Sequence, residues 1–363
     1  MATIPNGRGI KALGKTSAKS GLLPIEIARP TPGPNDVHIK IMYCGQCHSD
    51  VHATNGDWGV DLYPMAPGHE ISGIVLKSNS EKFKEGQRVG VGCMVESCQS
   101  CSLCDEGLEN HCPGMIQTYS SKFPHSKDHD DCAGYQTNGG YSEEIVVHDR
   151  FVFSIPESMK MEHAGPLLCA GITTYSPLNR FVKGKKGQQH VGIIGFGGLG
   201  MMAVKIAKAM GAEVTVFSRS MAKEEQAKKL GASFVCHGDS ELMVSMERSI
   251  DTILDTISIG HEVAHMIGTL KVGGTYCFLG GVPEPVKISA FQLLLSRYTV
   301  TGSLIGGIPE TVEMLDFCAE HGIVPEIEVI HASKAAETYD NLESGKFGAY
   351  RSVIDMSTIG DLY

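Results

Sequence analysis

Four cysteines, Cys98, Cys101, Cys104 and Cys112, follow the spacing C-x2-C-x2-C-x7-C within a stretch rich in Ser, Gly and Asp. Thiolates delivered by such short segments satisfy tetrahedral zinc at about 2.3 Å, and four of them leave no position open for water or substrate. That pattern describes a structural metal site. Disulfides, unbonded thiols and an iron–sulfur cluster are the competing uses of the same spacing. A second set of candidate ligands is spread along the chain. Cys-Gly-Gln-Cys-His-Ser-Asp at 44 to 50 precedes Val51 and His52, Gly-His-Glu follows at 68 to 70, and Leu-Cys-Ala-Gly lies at 168 to 171. Cys47, His69 and Cys169 would make the Cys2His set that leaves the fourth position of zinc free, and a free position means Lewis-acid chemistry. Singly each residue is weak, since an isolated Cys is usually buried filler and an isolated His a satisfied core residue. Their combination carries the reading. Asp50 is placed to hold the far nitrogen of His69 and so fix its tautomer. Glu70 is either a solvated acid or, beside His69, a transient ligand or close neighbour of the metal. Cys44, Cys93, Cys132, Cys236, Cys277 and Cys318 match no ligand set and read as structural.

A third motif points to a nucleotide. Gly195, Gly197 and Gly200 satisfy G-x-G-x-x-G between an apolar run, Gln189 to Ile194, and a helical pattern, Met201 to Met210. The first glycine serves a tight turn, the second lets the backbone approach a pyrophosphate, and the third packs helix against strand. Gly198 and Leu199 complete the cradle, whose helix N-terminus faces the anion. A binder of NAD usually ends its next strand in Asp or Glu. Here that place holds Ser218, Arg219 and Ser220, with Lys223 one turn on. Hydroxyls and cations suit a 2′-phosphate, which a carboxylate would repel, so the cofactor expected is NADP(H).

These residues need two kinds of scaffold. From Lys11 to about Ser154 the chain reads as short β-like runs broken by Gly and Pro, such as Asp36 to Met42 and Ile71 to Leu76, which predicts an antiparallel, barrel-like domain. From about Met161 to Ile305 helical patterns alternate with apolar runs at Gln189 to Ile194, Glu213 to Phe217, Ser233 to Cys236, Thr252 to Asp255 and Thr275 to Leu279. That alternation predicts an α/β unit with a doubly wound parallel sheet. The remainder holds a helix pattern at Ile308 to His321 and a strand at Tyr350 to Asp355, expected to pack back on the first domain.

Composition narrows the function classes. The chain has 363 residues, enough for two or three domains, and its 43 glycines exceed the roughly 7% average without any collagen-like period. Net charge is −10, so no basic stripe exists to neutralise a phosphate backbone, and nucleic acid is excluded as a partner. Met1 to Lys11 has no apolar core of the secretory kind, and the longest uncharged run, near Val191 to Val204, is too short and glycine-rich to span a membrane. A soluble, cytoplasmic protein is expected, in which twelve cysteines suggest metal ligands rather than a disulfide scaffold.

Together the motifs resemble the zinc-dependent medium-chain alcohol dehydrogenases, in particular the cinnamyl alcohol dehydrogenase-like branch. The resemblance extends over nearly the whole chain: Cys-Gly-Gln-Cys-His-Ser-Asp at 44 to 50, Pro-Gly-His-Glu at 67 to 70, the four-cysteine lobe, Leu-Leu-Cys-Ala-Gly-Ile-Thr at 167 to 173, Gly-Phe-Gly-Gly-Leu-Gly at 195 to 200, and Thr-Gly-Ser-Leu-Ile-Gly at 301 to 306. It implies a GroES-like β-rich catalytic domain over 1–160, a Rossmann domain over 161–305 and a return to the catalytic domain over 306–363. It also implies two zinc ions per chain, one catalytic and one structural, and a homodimer. By the same resemblance Ser49 and His52 take the proton-relay positions, Thr173, Ser303 and Ile305 line the cofactor, and Arg351 contacts the pyrophosphate. The implied reaction is interconversion of aldehydes and primary alcohols by hydride transfer with NADP(H). Two departures stand out. The segment Tyr119 to Gly140, with His125, His129 and Cys132, is longer than the branch norm, and Gln117 stands where monolignol-reducing members carry a bulky aromatic. Cinnamyl aldehydes are therefore not the expected preferred substrate. The competing readings are a polyol dehydrogenase or iminium reductase on the same scaffold, and a non-catalytic zinc- and nucleotide-binding protein. Trp58 follows the His52 loop and serves either a substrate pocket or plain packing.

Overall fold

The computed structural model describes residues 7–123, 133–236, 240–346 and 350–363. His125, His129 and Cys132 lie outside the described residues. The chain divides into two compact units, the first formed by residues 1–169, 307–319 and 324–363, the second by 170–306 and 320–323.

The first unit is predominantly antiparallel. Strands β1 (Arg8–Gly14) and β2 (Leu23–Arg29) form a hairpin. They are followed by β3 (Asp36–Gly45), β4 (Ile71–Ser78), β5 (Arg88–Val91), β6 (Met94–Glu96), β7 (Ile116–Gln117), β8 (Glu144–His148) and β9 (Phe153–Ser154). Strand β3 shows why this sequence makes sheet: Val37, Ile39 and Ile41 alternate along it and are buried, a period of two that puts one face into the core. It runs past the sequence-based estimate to Gly45 and so delivers the chain directly to Cys47.

The second unit has a six-stranded parallel sheet. Its strands are β10 (His190–Ile194), β11 (Glu213–Ser218), β12 (Ser233–Cys236), β13 (Ile250–Asp255), β14 (Leu270–Phe278) and β15 (Thr299–Gly302), in the order β12-β11-β10-β13-β14-β15. Strand order reverses beside β10, where doubly wound sheets bind ligands at the carboxyl ends of their strands. Strand β14 starts five residues earlier than the pattern suggests. The sheet accommodates Gly273 and Gly274 through a register irregularity opposite Ile250 to Thr252.

The chain then returns to the first unit through β16 (Ile327–His331) and β17 (Arg351–Asp355). The seven-stranded sheet has the path β16-β17-β3-β4-β5-β9, with β8 also paired to β3. Val353 lies opposite Gly45, so the last strand borders the turn that carries Cys47. No helix among the described residues is long and apolar enough to cross a membrane.

Candidate functional site

Cys47 is the N-cap of the helix His48–Asn55. Its backbone N–H donates to Asp50 Oδ2 at 2.8 Å, which ties up one of the donors that every helix start exposes. The other oxygen of Asp50 accepts from Gly68 N–H and His69 Nδ1, each at 3.0 Å. The phenol of Tyr141 donates to Oδ2 at 3.2 Å. One fully buried carboxylate thus fixes the turn before Cys47, the turn before His69 and the His69 ring. With Nδ1 turned to Asp50, Nε2 is the ring nitrogen aimed at the other candidate ligands, the one a metal would take. The Tyr119 hydroxyl sits 3.2 Å from the same Nδ1.

Cys169 arrives from the opposite side on a π-helical turn, Leu167–Gly171, between two helical segments. Such one-turn widenings re-aim side chains and recur at functional sites. Its Sγ lies 3.2 Å from His69 Nε2 and 3.9 Å from Cys47 Sγ. Donors about 2.0–2.3 Å from one tetrahedral ion lie about 3.5–3.8 Å apart, so both separations are close to the edges of a zinc tetrahedron. The ligand atoms of Cys47, His69, Glu70 and Cys169 all fall within 4.8 Å of one another, and all four residues are buried. Glu70 adds a further observation. Arg351 Nη1 is 3.1 Å from Glu70 Oε1, yet neither carboxylate oxygen has a hydrogen-bond partner among the described residues. A buried carboxylate left in that condition is costly, and a cation in front of it would relieve the cost. The donor set fits zinc.

Burial and the neighbouring charges shift three of these groups. Cys47 is held well below the usual thiol range by its hydrogen bond with Cys169, with Arg351 and His69 adding to this against burial. Burial pushes the Glu70 carboxyl up to about 7, against the pull of Arg351. His69 is raised well above the usual imidazole range because Asp50 outweighs the effect of burial. Close packing supports the arrangement: a Cβ on Gly45 would sit 2.1 Å from Glu70 Oε2.

The four-cysteine lobe is equally compact. Cys98 and Cys112 sulfurs are 3.4 Å apart, Cys101 and Cys104 3.6 Å, Cys101 and Cys112 3.8 Å, and Cys98 and Cys104 4.0 Å. A disulfide needs about 2.05 Å, so these thiols are unbonded, and their spacing is that of ligands on a single ion about 2.3 Å away. An iron–sulfur cluster would hold them on separate irons and farther apart. The backbone N–H groups of Cys98 and Gly114 donate to Cys112 Sγ at 3.5 and 3.3 Å, stabilising thiolate charge.

In the second unit the glycine motif has the expected geometry. Gly195 follows β10 with φ +87°, in the left-handed region that disfavours a side chain. A Cβ on Gly200 would meet Gly195 O at 2.2 Å, so only glycine allows that helix to close on the strand. The helix starts at Gly198, with Gly197 as its N-cap, three residues before the sequence pattern suggests. Gly198, Leu199 and Gly200 are therefore its first turn, and their N–H groups belong to the anion-binding end. Ser218 closes β11, Ser220 Oγ caps Ala222 N–H at 3.2 Å, Arg219 is exposed, and Lys223 Nζ donates to Phe196 O of the glycine turn at 2.9 Å. Thr173 lies buried in the helix Ile172–Phe181, while Ser303 and Ile305 follow β15, Ile305 with φ +40°.

The remaining expected residues are in the first unit. Ser49 Oγ lies 3.7 Å from Cys47 Sγ. His52 Nδ1 is paired with Asp57 Oδ2 at 2.8 Å, and its ring centroid is 5.7 Å from that of Trp58, which is half exposed. Arg351 is committed to Glu70 and, through Nη1, to Gln46 O at 3.0 Å. Sequence reasoning missed three neighbours of the metal group. Tyr119 and Tyr141 are over 45 residues from the residues they serve in chain order, with nothing in their spacing to mark them. Cys93, read as structural, has its Sγ 3.9 Å from the carbonyl oxygen of Leu168, the residue before Cys169.

Comparison with known proteins agrees with this geometry. The family model for the alcohol dehydrogenase GroES-like domain matches residues 33–157, and that for the zinc-binding dehydrogenase matches 198–320. The aldehyde reductase YahK of Escherichia coli (strain K12) is 46% identical over 357 residues, covering 97% of this chain and 99% of its own. Among solved structures, a cinnamyl alcohol dehydrogenase from Sorghum bicolor aligns with a TM-score of 0.90 at 36% identity, over 96% of this chain and 98% of the other. The CAD from Helicobacter pylori, complexed with NADP(H), aligns at 0.87 and 39%, over 97% and 99%.

Proposed function

The chain belongs to the zinc-binding dehydrogenases with a GroES-like alcohol dehydrogenase domain, and we propose that within this family it is an NADP(H)-dependent aldehyde reductase that also oxidises primary alcohols. The observation that carries the reading is the buried convergence of Cys47, His69 and Cys169, with the Glu70 carboxylate, ion-paired to Arg351, beside them. When bound, zinc supplies Lewis acidity toward a carbonyl oxygen and the nicotinamide supplies the hydride. The protein's own groups do the rest. Cys47, His69 and Cys169 would hold the metal, and a three-ligand set of this kind would leave a position for substrate. Asp50 keeps His69 in the ligating tautomer. Ser49, next to Cys47 Sγ, is the first carrier of the proton that an alkoxide product needs, and His52, oriented by Asp57, is the group that exchanges it with solvent. Cys98, Cys101, Cys104 and Cys112 hold the second zinc, whose role is structural.

For the cofactor, Gly195 to Gly200 receive the pyrophosphate, and Thr173, Ser303 and Ile305 line the nicotinamide half. Ser218, Arg219, Ser220 and Lys223 receive the 2′-phosphate of NADP(H). The exposed Arg219 guanidinium and the absence of a carboxylate at the end of β11 support this choice over NAD. Arg219→Asp is expected to raise the NADPH dissociation constant at least about tenfold, as measured by nicotinamide fluorescence. An unchanged constant would remove Arg219 from the phosphate site.

The domains of this reading are a catalytic domain over 1–160 and 306–363 and a nucleotide domain over 161–305. Gln117, exposed on β7, stands where monolignol-reducing members carry a bulky aromatic, so cinnamyl aldehydes are not taken as the preferred substrate. A homodimer is supported by the open edge of β15 and by Phe291, Leu294 and Leu295, each at least 74% exposed on the helix Ala290–Ser296. A cytoplasmic location suits a protein whose metal-ligand thiols must stay reduced.

The test is NADPH oxidation across a panel of aldehydes, a polyol-derived ketone and a cyclic imine, with zinc counted per chain. Two zinc ions and turnover on aldehydes is the expected result. Turnover confined to the ketone or the imine would move the protein to the polyol or iminium class, and one zinc without turnover would make it a binder.

A further inference from the structure

Outside both metal groups and the glycine turn, the second unit contains a buried polar cluster that the proposed chemistry does not use. Asp255 is the last residue of β13 and is fully buried. Its Oδ2 accepts from the Tyr276 hydroxyl at 2.7 Å and from His261 Nε2 at 2.8 Å, and its Oδ1 accepts from Ile257 N–H at 3.0 Å. The second nitrogen of His261, Nδ1, faces Ile259 O at 2.9 Å. Both ring nitrogens therefore lie within hydrogen-bond distance of oxygen atoms, and the ring bridges Asp255 and Ile259 O, closing residues 255 to 261 into a loop. Burial raises the Asp255 carboxyl, and its three donors oppose that rise.

The place of this loop gives the cluster its significance. Thr256 lies against the first glycine of the nucleotide motif: Thr256 N–H and Oγ1 both donate to Ile194 O, at 3.0 and 2.8 Å. A Cβ on Gly195 would lie 2.7 Å from Thr256 Oγ1 and 3.3 Å from Ile257 Cγ1. On the other side, the N–H groups of Leu279 and Gly280 donate to Asp255 O, and a Cβ on Gly280 would lie 2.0 Å from Ile257 O. The loop is thus wedged between the carboxyl ends of β10 and β14, where a parallel sheet presents its ligand crevice. Ile257 anchors the loop on the core of the second unit, and the side-chain hydrogen bonds add to that packing in setting how often the loop opens.

We propose that His261, held by Asp255, whose carboxylate Tyr276 also bonds, is a positioning residue for NADP(H): it fixes the 256–261 loop against Gly195 and so sets cofactor affinity without touching the cofactor. The proposal rests on the reading of the second unit as the NADP(H) site. Free energy spent on ordering this loop at the moment of binding would be lost from affinity, and the bridge removes that cost beforehand.

The test compares His261→Ala, His261→Gln and Tyr276→Phe with the wild type, using NADPH titration, steady-state kinetics and hydrogen exchange of the 256–261 amides. His261→Ala is expected to raise the NADPH dissociation constant and KM about tenfold with kcat within about twofold. His261→Gln keeps a side-chain N–H for Asp255 and is expected to recover most of the loss, and exchange at Ile257 quickens in the order of the affinity loss. Tyr276→Phe removes one donor and leaves the loop backbone intact, so it reads the cluster even where the alanine variant fails to fold, with an expected two- to threefold rise. A lowered melting temperature with wild-type dissociation constants and wild-type exchange would overturn the inference. A wild type that binds no NADPH would instead refute the cofactor reading, and the exchange data would still decide whether His261 orders the loop.

Discussion

Replacing Cys47 with Ser, or His69 with Ala, is expected to lower aldehyde turnover at least about a thousandfold while the NADPH dissociation constant stays within about threefold. The size follows from the Lewis-acid contribution, worth several kcal/mol of barrier at about 1.36 kcal/mol for each factor of ten. The selectivity follows from the fold. Cys47 and His69 lie in the first unit, whereas the glycine turn, Arg219 and Lys223 belong to the second. Metal analysis makes the outcome specific, because Cys98, Cys101, Cys104 and Cys112 use none of the same residues. The count should fall from two zinc ions per chain to one, not to zero. Turnover near the wild-type level in either variant would end the zinc mechanism. A count of zero would show that the variant had lost its fold rather than its ligand, and the companion substitution would then decide the question.

Legibility in the sequence depended on how local each interaction is. Cys98 to Cys112 span one short loop, so spacing alone was enough to suggest four ligands on one ion, and the measured sulfur separations agree. The glycine motif is similarly local, and the strand before it ends where expected, at Ile194. The following helix starts three residues before its apolar pattern, because glycines lower helix propensity, while in the folded chain they are what lets the first turn approach β10. Cys47, His69 and Cys169 were recognised by type and by order along the chain, but their convergence depends on β3, β4 and the π-helical turn at Leu167–Gly171. No periodicity in the sequence signals that turn. Longer-range partners were invisible. Arg351 pairs with Glu70 because β17 is added to the edge of β3, and Tyr276 reaches Asp255 because β13 and β14 are neighbours in register, Asp255 opposite Phe278. Both are consequences of sheet order, which single-residue chemistry does not encode.

Asp50→Asn is expected to weaken zinc binding at the Cys47 site about 10- to 100-fold, the usual cost of losing a partner that orients a metal ligand, and to lower kcat in proportion to the zinc lost. The carboxylate accepts four hydrogen bonds, from Cys47 N–H, Gly68 N–H, His69 Nδ1 and the Tyr141 hydroxyl. An asparagine keeps one oxygen, enough for Gly68 and His69. Its amide nitrogen, a donor, would then face Cys47 N–H, also a donor, and the turn that aims Cys47 Sγ must shift. The reverse amide orientation would restore Cys47 and set the amide against His69, forcing the ring toward the wrong tautomer. Neither orientation satisfies both ligand turns, because the aspartate acts as an acceptor only. Asp50→Ala goes further and leaves buried donors unpaired at about 1–3 kcal/mol each, so it should unfold at a markedly lower temperature, whereas the asparagine variant should remain folded. The decisive measurement is zinc retained by Asp50→Asn during dialysis against a graded chelator, compared with the cysteine lobe as internal reference. Loss of the first zinc at chelator levels that spare the second is the expected result. Equal retention of both would show that Asp50 stabilises the fold and contributes nothing to the orientation of His69.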